Sequence, residues 1–200
     1  MRNDLAMPSD NRPMNLVWPA REYLASYVAA LERGWSADTE RGPAAARDEL
    51  GRIASDADGF LASLVDREAR GTPISLPNGD TVPRLPGYAL WMWDGEFCGS
   101  IGLRWQPGTE ALPPHCLGHI GYTVVPWKRG RGYATQALRE LLPQAKREGL
   151  RYVEITTTPA NVASQRVIEA NGGVFIEEFE KLPAYGSALG LRYHIDLTRL

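Results

Sequence analysis

The stretch HIGYTVVPWKRGRGYA, residues 119–134, decides the fold, because it reads as a strand, a glycine-rich basic turn and the start of an amphipathic helix. Glycine lets the backbone approach a ligand closely, and the first N–H groups of a helix have no intrahelical acceptor. The helix dipole and the charges of Lys128, Arg129 and Arg131 add positive potential, so the turn favours a bound phosphate. The pattern is neither a Walker loop nor a dinucleotide-binding GxGxxG, and a solvated turn is the alternative interpretation.

The segments on both sides predict an α+β fold in which helices cover a sheet. Apolar spacing predicts helices over 20–33, 43–70, 131–148 and 161–171, and we expect glycines in the second to split it and Pro143 to kink or shorten the third. Strands are expected over 15–18, 88–93, 97–105, 117–125, 152–158, 174–182 and 189–197, with a hairpin at Asn78-Gly79. We divide the chain into a flexible N-terminus, 1–14, and a single domain, 15–200, with a helical part over 20–71.

The composition excludes several classes of protein. The 200 residues are 44% hydrophobic and 23% charged with a net charge of −2, which is typical of a globular domain and argues against a nucleic-acid partner. Two cysteines and three histidines show no metal-ligand spacing, so no metal is expected. The N-terminus lacks the apolar stretch of a signal peptide, and no run is long enough to span a membrane. We therefore expect a cytoplasmic protein with no membrane partner.

Two motifs resemble those of the GNAT superfamily of acetyl-CoA-dependent N-acetyltransferases. Arg129-x-x-Gly132-x-Ala134 resembles the superfamily signature Arg/Gln-x-x-Gly-x-Gly/Ala, and residues 122–126 before it resemble the strand that holds the pantetheine arm. About 30 residues later, Asn161-x-x-Ser164 and a helix that ends in Gly172-Gly173 resemble the second motif. The resemblance covers most of 15–198, and its strong part, 118–173, would be the acetyl-CoA-binding core.

The resemblance implies a GNAT-like, mixed and mostly antiparallel sheet flanked by helices, with acetyl-CoA in the cleft between splayed central strands. It implies that backbone groups of Val124 and Val125 pair with the pantetheine and that the turn and helix start hold the pyrophosphate. Asn161 and Ser164 would lie near the pantetheine or adenosine, although a plain helix cap and a surface serine are alternatives. The implied pyrophosphate-binding residues are Arg129, Gly130, Arg131, Gly132, Tyr133, Ala134 and Thr135.

The sequence offers alternative roles for the residues that could handle protons. Many family members carry a tyrosine as general acid at the position of Ile168, and isoleucine cannot donate a proton. His119 is the candidate general base, with a strand histidine bound to a backbone partner as the alternative. Tyr122 either lines the acceptor cleft or fills the core. Arg104 either binds an acidic group of a substrate or pairs with a carboxylate of the chain itself.

From these residues we predict direct transfer of acetyl from acetyl-CoA to a primary amine in a ternary complex. Transfer of a different acyl group is a rival, and so is a non-catalytic acyl-CoA-binding or sensory module. The acceptor, a small molecule or a peptide amine, is not specified by any motif, and a homodimer is possible.

Overall fold

The computed structural model describes residues 13–76, 78–185 and 187–200, and its elements alternate as an α+β fold requires. Most of the elements lie within a few residues of their predicted bounds. The helices are α1 (Arg21–Glu32), α2 (Pro43–Ser55), α3 (Ala57–Ser63), α4 (Tyr133–Arg147) and α5 (Val162–Glu169). The strands are β1 (Asn15–Val17), β2 (Val65–Asp66), β3 (Ile74–Ser75), β4 (Thr81–Val82), β5 (Gly87–Trp93), β6 (Phe97–Arg104), β7 (Ile120–Val124), β8 (Tyr152–Thr157), β9 (Val174–Glu180) and β10 (Leu189–Asp196).

Two antiparallel sheets form the centre of the molecule. The first has the order β1-β5-β6-β7, with the short β2 also paired to β5, and the second has the order β8-β10-β9. The strands β3 and β4 form the hairpin expected at Asn78-Gly79, where Gly79 has a φ of 89°. The α+β class with a mostly antiparallel sheet flanked by helices is thereby confirmed.

The second helical region ends earlier than predicted and is divided at a residue that the sequence analysis did not single out. Asp56 is extended, with a φ of −153°, and its side chain accepts a hydrogen bond from the Gly59 N–H to cap α3. A Cβ on Gly59 would stand 2.1 Å from the Asp56 carboxylate, so glycine is required beside this cap. Beyond Leu64 the chain is extended as β2 rather than helical to residue 70. The helix α4, by contrast, continues through Pro143 to Arg147.

The core consists of two clusters on opposite faces of the first sheet. One cluster surrounds α4 and includes Met14, which is 1% exposed although we assigned it to the flexible N-terminus. Residues 1–12 of that predicted segment lie outside the described residues. The other cluster joins α1, α2 and α3 to Trp91 and Phe97 on the opposite face. The helices α1–α3 therefore cover only part of this second face, which leaves room for a cleft beside them.

Candidate functional site

A gap opens between β7 and β8, where the two sheets part. Near the start of β7 the strands touch through an isolated bridge between Gly118 and Ile155 and through the His119 N–H, which donates to the Glu154 carbonyl. Among the described residues, no further ladder joins the two strands toward the end of β7. The edge of β7 is therefore free beside the glycine-rich turn that follows it.

The two valines at the end of β7 have different backbone environments. The Val125 N–H donates to the Cys98 carbonyl at 2.9 Å, and the Val125 carbonyl accepts from the Lys128 N–H. Both backbone groups of Val125 are therefore hydrogen-bonded within the chain. Strand alternation turns the backbone of Val124 the opposite way, toward the gap. Its carbonyl accepts from Arg129 Nε at 3.2 Å, which leaves its N–H facing the gap. In this structure the backbone of Val125 is therefore engaged inside the chain, whereas the N–H of Val124 is available at the gap.

The turn after β7 presents a row of free backbone donors. Six consecutive N–H groups, from Gly130 to Thr135, donate no hydrogen bond to any of the described residues, and the first helical bond runs from Gln136 to the Gly132 carbonyl. Gly130 and Gly132 have φ values of 76° and 78°, a backbone region that side chains with a Cβ disfavour. These two glycines let the chain turn so that all six groups lie at the positive end of α4, which suits a diphosphate.

The positive charge of this turn is smaller than its sequence suggests. Lys128 is only 7% exposed, and its ammonium lies 2.5 Å from Asp94 and 3.2 Å from Glu96. The other oxygen of Asp94 accepts from the Tyr133 hydroxyl at 2.7 Å. Burial raises the pKa of Asp94, but these hydrogen bonds outweigh it and hold the pKa below its usual value. Lys128 therefore fixes the turn to the first sheet, and Arg129 and Arg131 remain as its exposed cations.

The second motif lies on α5 and reaches across the gap. The Asn161 side chain accepts from the Ser164 N–H at 3.1 Å, so Asn161 is the helix cap that the sequence offered as one of its roles. The Ser164 hydroxyl lies 2.9 Å from the Tyr122 hydroxyl on β7. Burial raises the pKa of Tyr122 to about 12, so this phenol keeps its proton at neutral pH. Ile168 is fully buried and packs under Gly173, where it contributes to the core only.

His119 lacks a nitrogen that is open to a substrate. Its Nδ1 accepts from the Glu154 N–H at 2.9 Å, and its buried Nε2 has no partner among the described residues. Desolvation lowers the pKa of His119 to about 4, so the ring is neutral at pH 7 with its proton on Nε2. This geometry favours the alternative role that the sequence offered for His119, a strand histidine held by a backbone partner. It gives the ring no free lone pair for deprotonating an amine.

A cleft of about 710 Å³ lies on the face of the first sheet opposite α4. Its floor has almost no side chains, because Ala89, Gly102 and Gly121 are direct cross-strand partners in one row. The next row toward the glycine-rich turn contributes Ser100 and Thr123. The walls come from α2, α3 and the loops and include Asp38, Glu49, Leu64, Asp66, Arg84 and Tyr185. Thr123 adjoins Val124, so the cleft reaches the β7 edge of the gap.

Glu49 on α2 is a cleft carboxylate whose environment is perturbed by burial. One of its oxygens accepts a hydrogen bond from the Tyr27 hydroxyl, and burial raises the pKa of the Glu49 carboxyl. The Tyr27 ring stacks 4.5 Å from the ring of Trp91, which is the cross-strand partner of Ser100. Through the Tyr27 ring, Glu49 is thus linked to the cross-strand row that contains Trp91, Ser100 and Thr123. Sequence reasoning missed it, since nothing local distinguishes this glutamate from its exposed neighbours.

Other kinds of site are not evident in the part of the chain that the structure describes. No group of three or more potential ligating side chains there could hold a metal ion. No helix among residues 13–76, 78–185 and 187–200 has both the length and the hydropathy to cross a bilayer.

Comparisons with known proteins agree with this geometry. Residues 54–174, more than half of the chain, match the family model described as an acetyltransferase (GNAT) domain. None of the curated proteins matches the chain. The motif resemblance to this superfamily is therefore confirmed by the family match alone.

Solved structures with a similar fold share little sequence with the chain. A microcin C7 self-immunity acetyltransferase, solved with acetyl-CoA and AMP, is 15% identical with a TM-score of 0.61, and the match covers 95% of this chain and 97% of that one. An acetyltransferase of the same superfamily from Bordetella pertussis is 17% identical with a TM-score of 0.54 and coverages of 92% and 95%. A ribosomal L7/L12 α-N-protein acetyltransferase, solved with coenzyme A, is 14% identical with a TM-score of 0.57 and coverages of 92% and 93%.

Proposed function

The chain belongs to the acetyltransferase (GNAT) domain family, and on that premise we propose that it transfers acetyl from acetyl-CoA to a primary amine. The two substrates meet at the end of β7, and the transfer is direct, without a covalent enzyme intermediate. The functional unit is the single domain formed by residues 15–200.

The observation that carries this proposal is the row of free N–H groups beside the unpaired edge of β7. The pyrophosphate of acetyl-CoA binds the N–H groups from Gly130 to Thr135, and the exposed Arg129 and Arg131 supplement them. The pantetheine arm extends along the gap and pairs with the free N–H of Val124. The thioester then lies near Thr123 and the Tyr122 hydroxyl, where the gap meets the cleft. Coenzyme in two solved structures of the same fold supports this assignment.

The amine enters from the cleft on the other side of β7. Its nitrogen attacks the thioester carbonyl carbon, and the tetrahedral intermediate collapses as the carbon–sulfur bond breaks. The amine loses a proton to the Glu49 carboxylate, whose raised pKa makes it a stronger base than an exposed glutamate. The departing thiolate takes its proton from the Tyr122 hydroxyl, since Ile168 has none to give. His119 positions β8 against β7 and takes no part in proton transfer.

The test is thiol release from acetyl-CoA across a panel of small amines and peptides, with binding of acetyl-CoA measured in parallel by calorimetry. We expect both binding and amine-dependent turnover. Glu49→Gln is the matched variant, because it should bind acetyl-CoA as the wild type does while turnover falls. Binding without turnover on any amine would instead favour the rival acyl-CoA-binding module, and faster turnover of another acyl-CoA would favour the rival donor.

A further inference from the structure

Arg104 ends β6 and lies over the floor of the cleft. Its side chain shares a face with those of Ser100 and the floor residue Gly102, because residues two apart on a strand point the same way. One guanidinium nitrogen stands 3.4 Å from the point that a Cβ on Gly121 would occupy. The cation therefore lies above the open floor rather than turning away from the cleft.

The guanidinium of Arg104 is exposed and unpaired. It donates no hydrogen bond and forms no ion pair with any of the described residues. Arg84, the other arginine of the cleft, donates to the Thr72 carbonyl and lies 3.9 Å from the Asp66 carboxylate. The sequence left two roles open for Arg104, and among residues 13–76, 78–185 and 187–200 no carboxylate pairs with it as the second role requires. A cation in a pocket with an open floor is instead free to bind an external anion.

The distance from Arg104 to the reaction site limits where that anion can stand. Gly121 precedes Thr123 by two residues, which is about 7 Å along a strand. Glu49 and Arg104 line the same cleft, Glu49 from α2 and Arg104 from the end of β6. An acceptor that spans them carries its amine at one end and an anionic group several bonds away.

Resting on the proposed function, we propose that the acceptor is a primary amine that bears a carboxylate or phosphate group, which Arg104 binds. A guanidinium presents paired N–H donors that match both kinds of oxyanion. Binding orients the molecule so that its amine points toward Glu49 and the thioester. Arg104 is thus a residue that determines specificity without contacting the reacting atoms.

The experiment compares amines in matched pairs that differ only in the anionic group. The carboxylate pair is 4-aminobutyrate and butylamine, and the phosphate pair is 2-aminoethyl phosphate and ethanolamine. For the wild type, we expect kcat/KM to be about ten- to a hundredfold higher for the anionic member of at least one pair, the value of a hydrogen bond to a charged group. Which pair shows the preference identifies the anion, and added salt should reduce it.

Variants separate this proposal from the proposed function. Arg104→Gln should abolish the preference, mainly through KM for the anionic amine, and Arg104→Lys should keep part of it. The matched control is Arg139→Gln, an exposed arginine on α4 across the sheet, which should keep the full preference. Calorimetry with acetyl-CoA and thermal unfolding should show that Arg104→Gln keeps its fold and its donor site.

Equal rates for both members of each pair, or an undiminished preference in Arg104→Gln, would overturn the assignment of Arg104 and leave acetyl transfer standing. Absence of thiol release from every amine would contradict the proposed function and this proposal with it.

Discussion

Tyr122 on β7 and Ser164 on α5 face each other across the gap between the two sheets, with their hydroxyl oxygens 2.9 Å apart. This contact links β7 to α5, the helix of the second motif. It also brings a phenol to the side of the gap where Ile168 supplies no proton.

Replacing Tyr122 with phenylalanine removes the proton donor and keeps the ring in its packing. We expect kcat to fall by about 10²-fold, the low end for acid catalysis, because a thiolate leaves fairly well unaided. The Kd for acetyl-CoA should change little, and steady-state kinetics with calorimetry will separate the two effects. Ser164→Ala serves as the control, since it removes the partner and keeps the phenol, and it should cost much less. Unchanged kcat in Tyr122→Phe would mean that solvent protonates the thiolate.

Two glycines at opposite ends of α4 allow a controlled test of the glycine-rich turn as the proposed pyrophosphate site. Gly132 and Gly149 have φ values of 78° and 91°, and an added Cβ would meet nothing within 4 Å at either position. Alanine at each site should therefore cost a similar ~1–2 kcal/mol of backbone strain. The two variants should lose about the same amount of Tm. Only Gly132→Ala turns the free N–H groups, so only it should weaken acetyl-CoA binding, by about tenfold in calorimetry. Equal affinities in the two variants would argue against pyrophosphate binding at this turn.

We expect Glu49 to speed the reaction and to lower the stability of the fold at neutral pH. Burial raises its pKa above the ordinary value of 4.5, so the folded chain binds this proton more tightly than the unfolded chain does. Its contribution to stability is therefore full below the unfolded pKa and is lost as the pH rises through the folded pKa. Glu49→Gln keeps an acceptor for Tyr27, and it should raise Tm relative to the wild type at pH 7.5 but not at pH 4.

The same variant should lower kcat/KM by about 10²-fold at neutral pH, because it removes the base. Glu32→Gln on the exposed face of α1 is the matched control and should change neither Tm nor rate. A Glu49→Gln enzyme that is as fast as the wild type would leave deprotonation of the amine to water.

His119 should govern acid stability rather than the rate. Its pKa of about 4 lies below the unfolded value near 6.5, so the unfolded chain binds the extra proton between these values. Stability is then fully present above about pH 6.5 and is lost as the pH falls toward 4. His119→Asn retains an acceptor for the Glu154 N–H, and it should flatten the dependence of Tm on pH over this range. Its kcat/KM should stay within about threefold of the wild type, whereas a general base would cost about 10²-fold.

The proposed cofactor site could be recognised in the sequence because its parts are contiguous. The strand, the glycine-rich turn and the start of α4 follow one another, so local spacing already contains the geometry. The hydrogen bonds of Val125 and the ion pair of Lys128 could not be predicted, since both depend on pairing with distant residues. The charge of Lys128 is offset by its ion pair with Asp94, which lies 34 residues earlier in the chain.

The acceptor half was not predictable, because it is assembled from segments that the chain brings together only on folding. Glu49 comes from α2, Arg104 from β6 and Gly121 from β7, and no fixed spacing joins them. Among these residues, only Arg104 could be singled out from the sequence, because it is a charged residue in an apolar strand. Whether it paired inside the chain could be decided only from the folded structure.

Because the floor of the cleft has almost no side chains, a single substitution there can change what this enzyme acetylates. A Cβ added at Gly102 would meet only the Tyr88 carbonyl oxygen, at 3.4 Å, and one at Gly121 would meet only the end of Arg104. A single base change in either codon can thus make the pocket shallower while the backbone of the first sheet stays as it is. Because the proposed coenzyme site lies at the edge of β7 and not on this face, paralogues can differ in the amine they accept while the proposed coenzyme site stays unchanged.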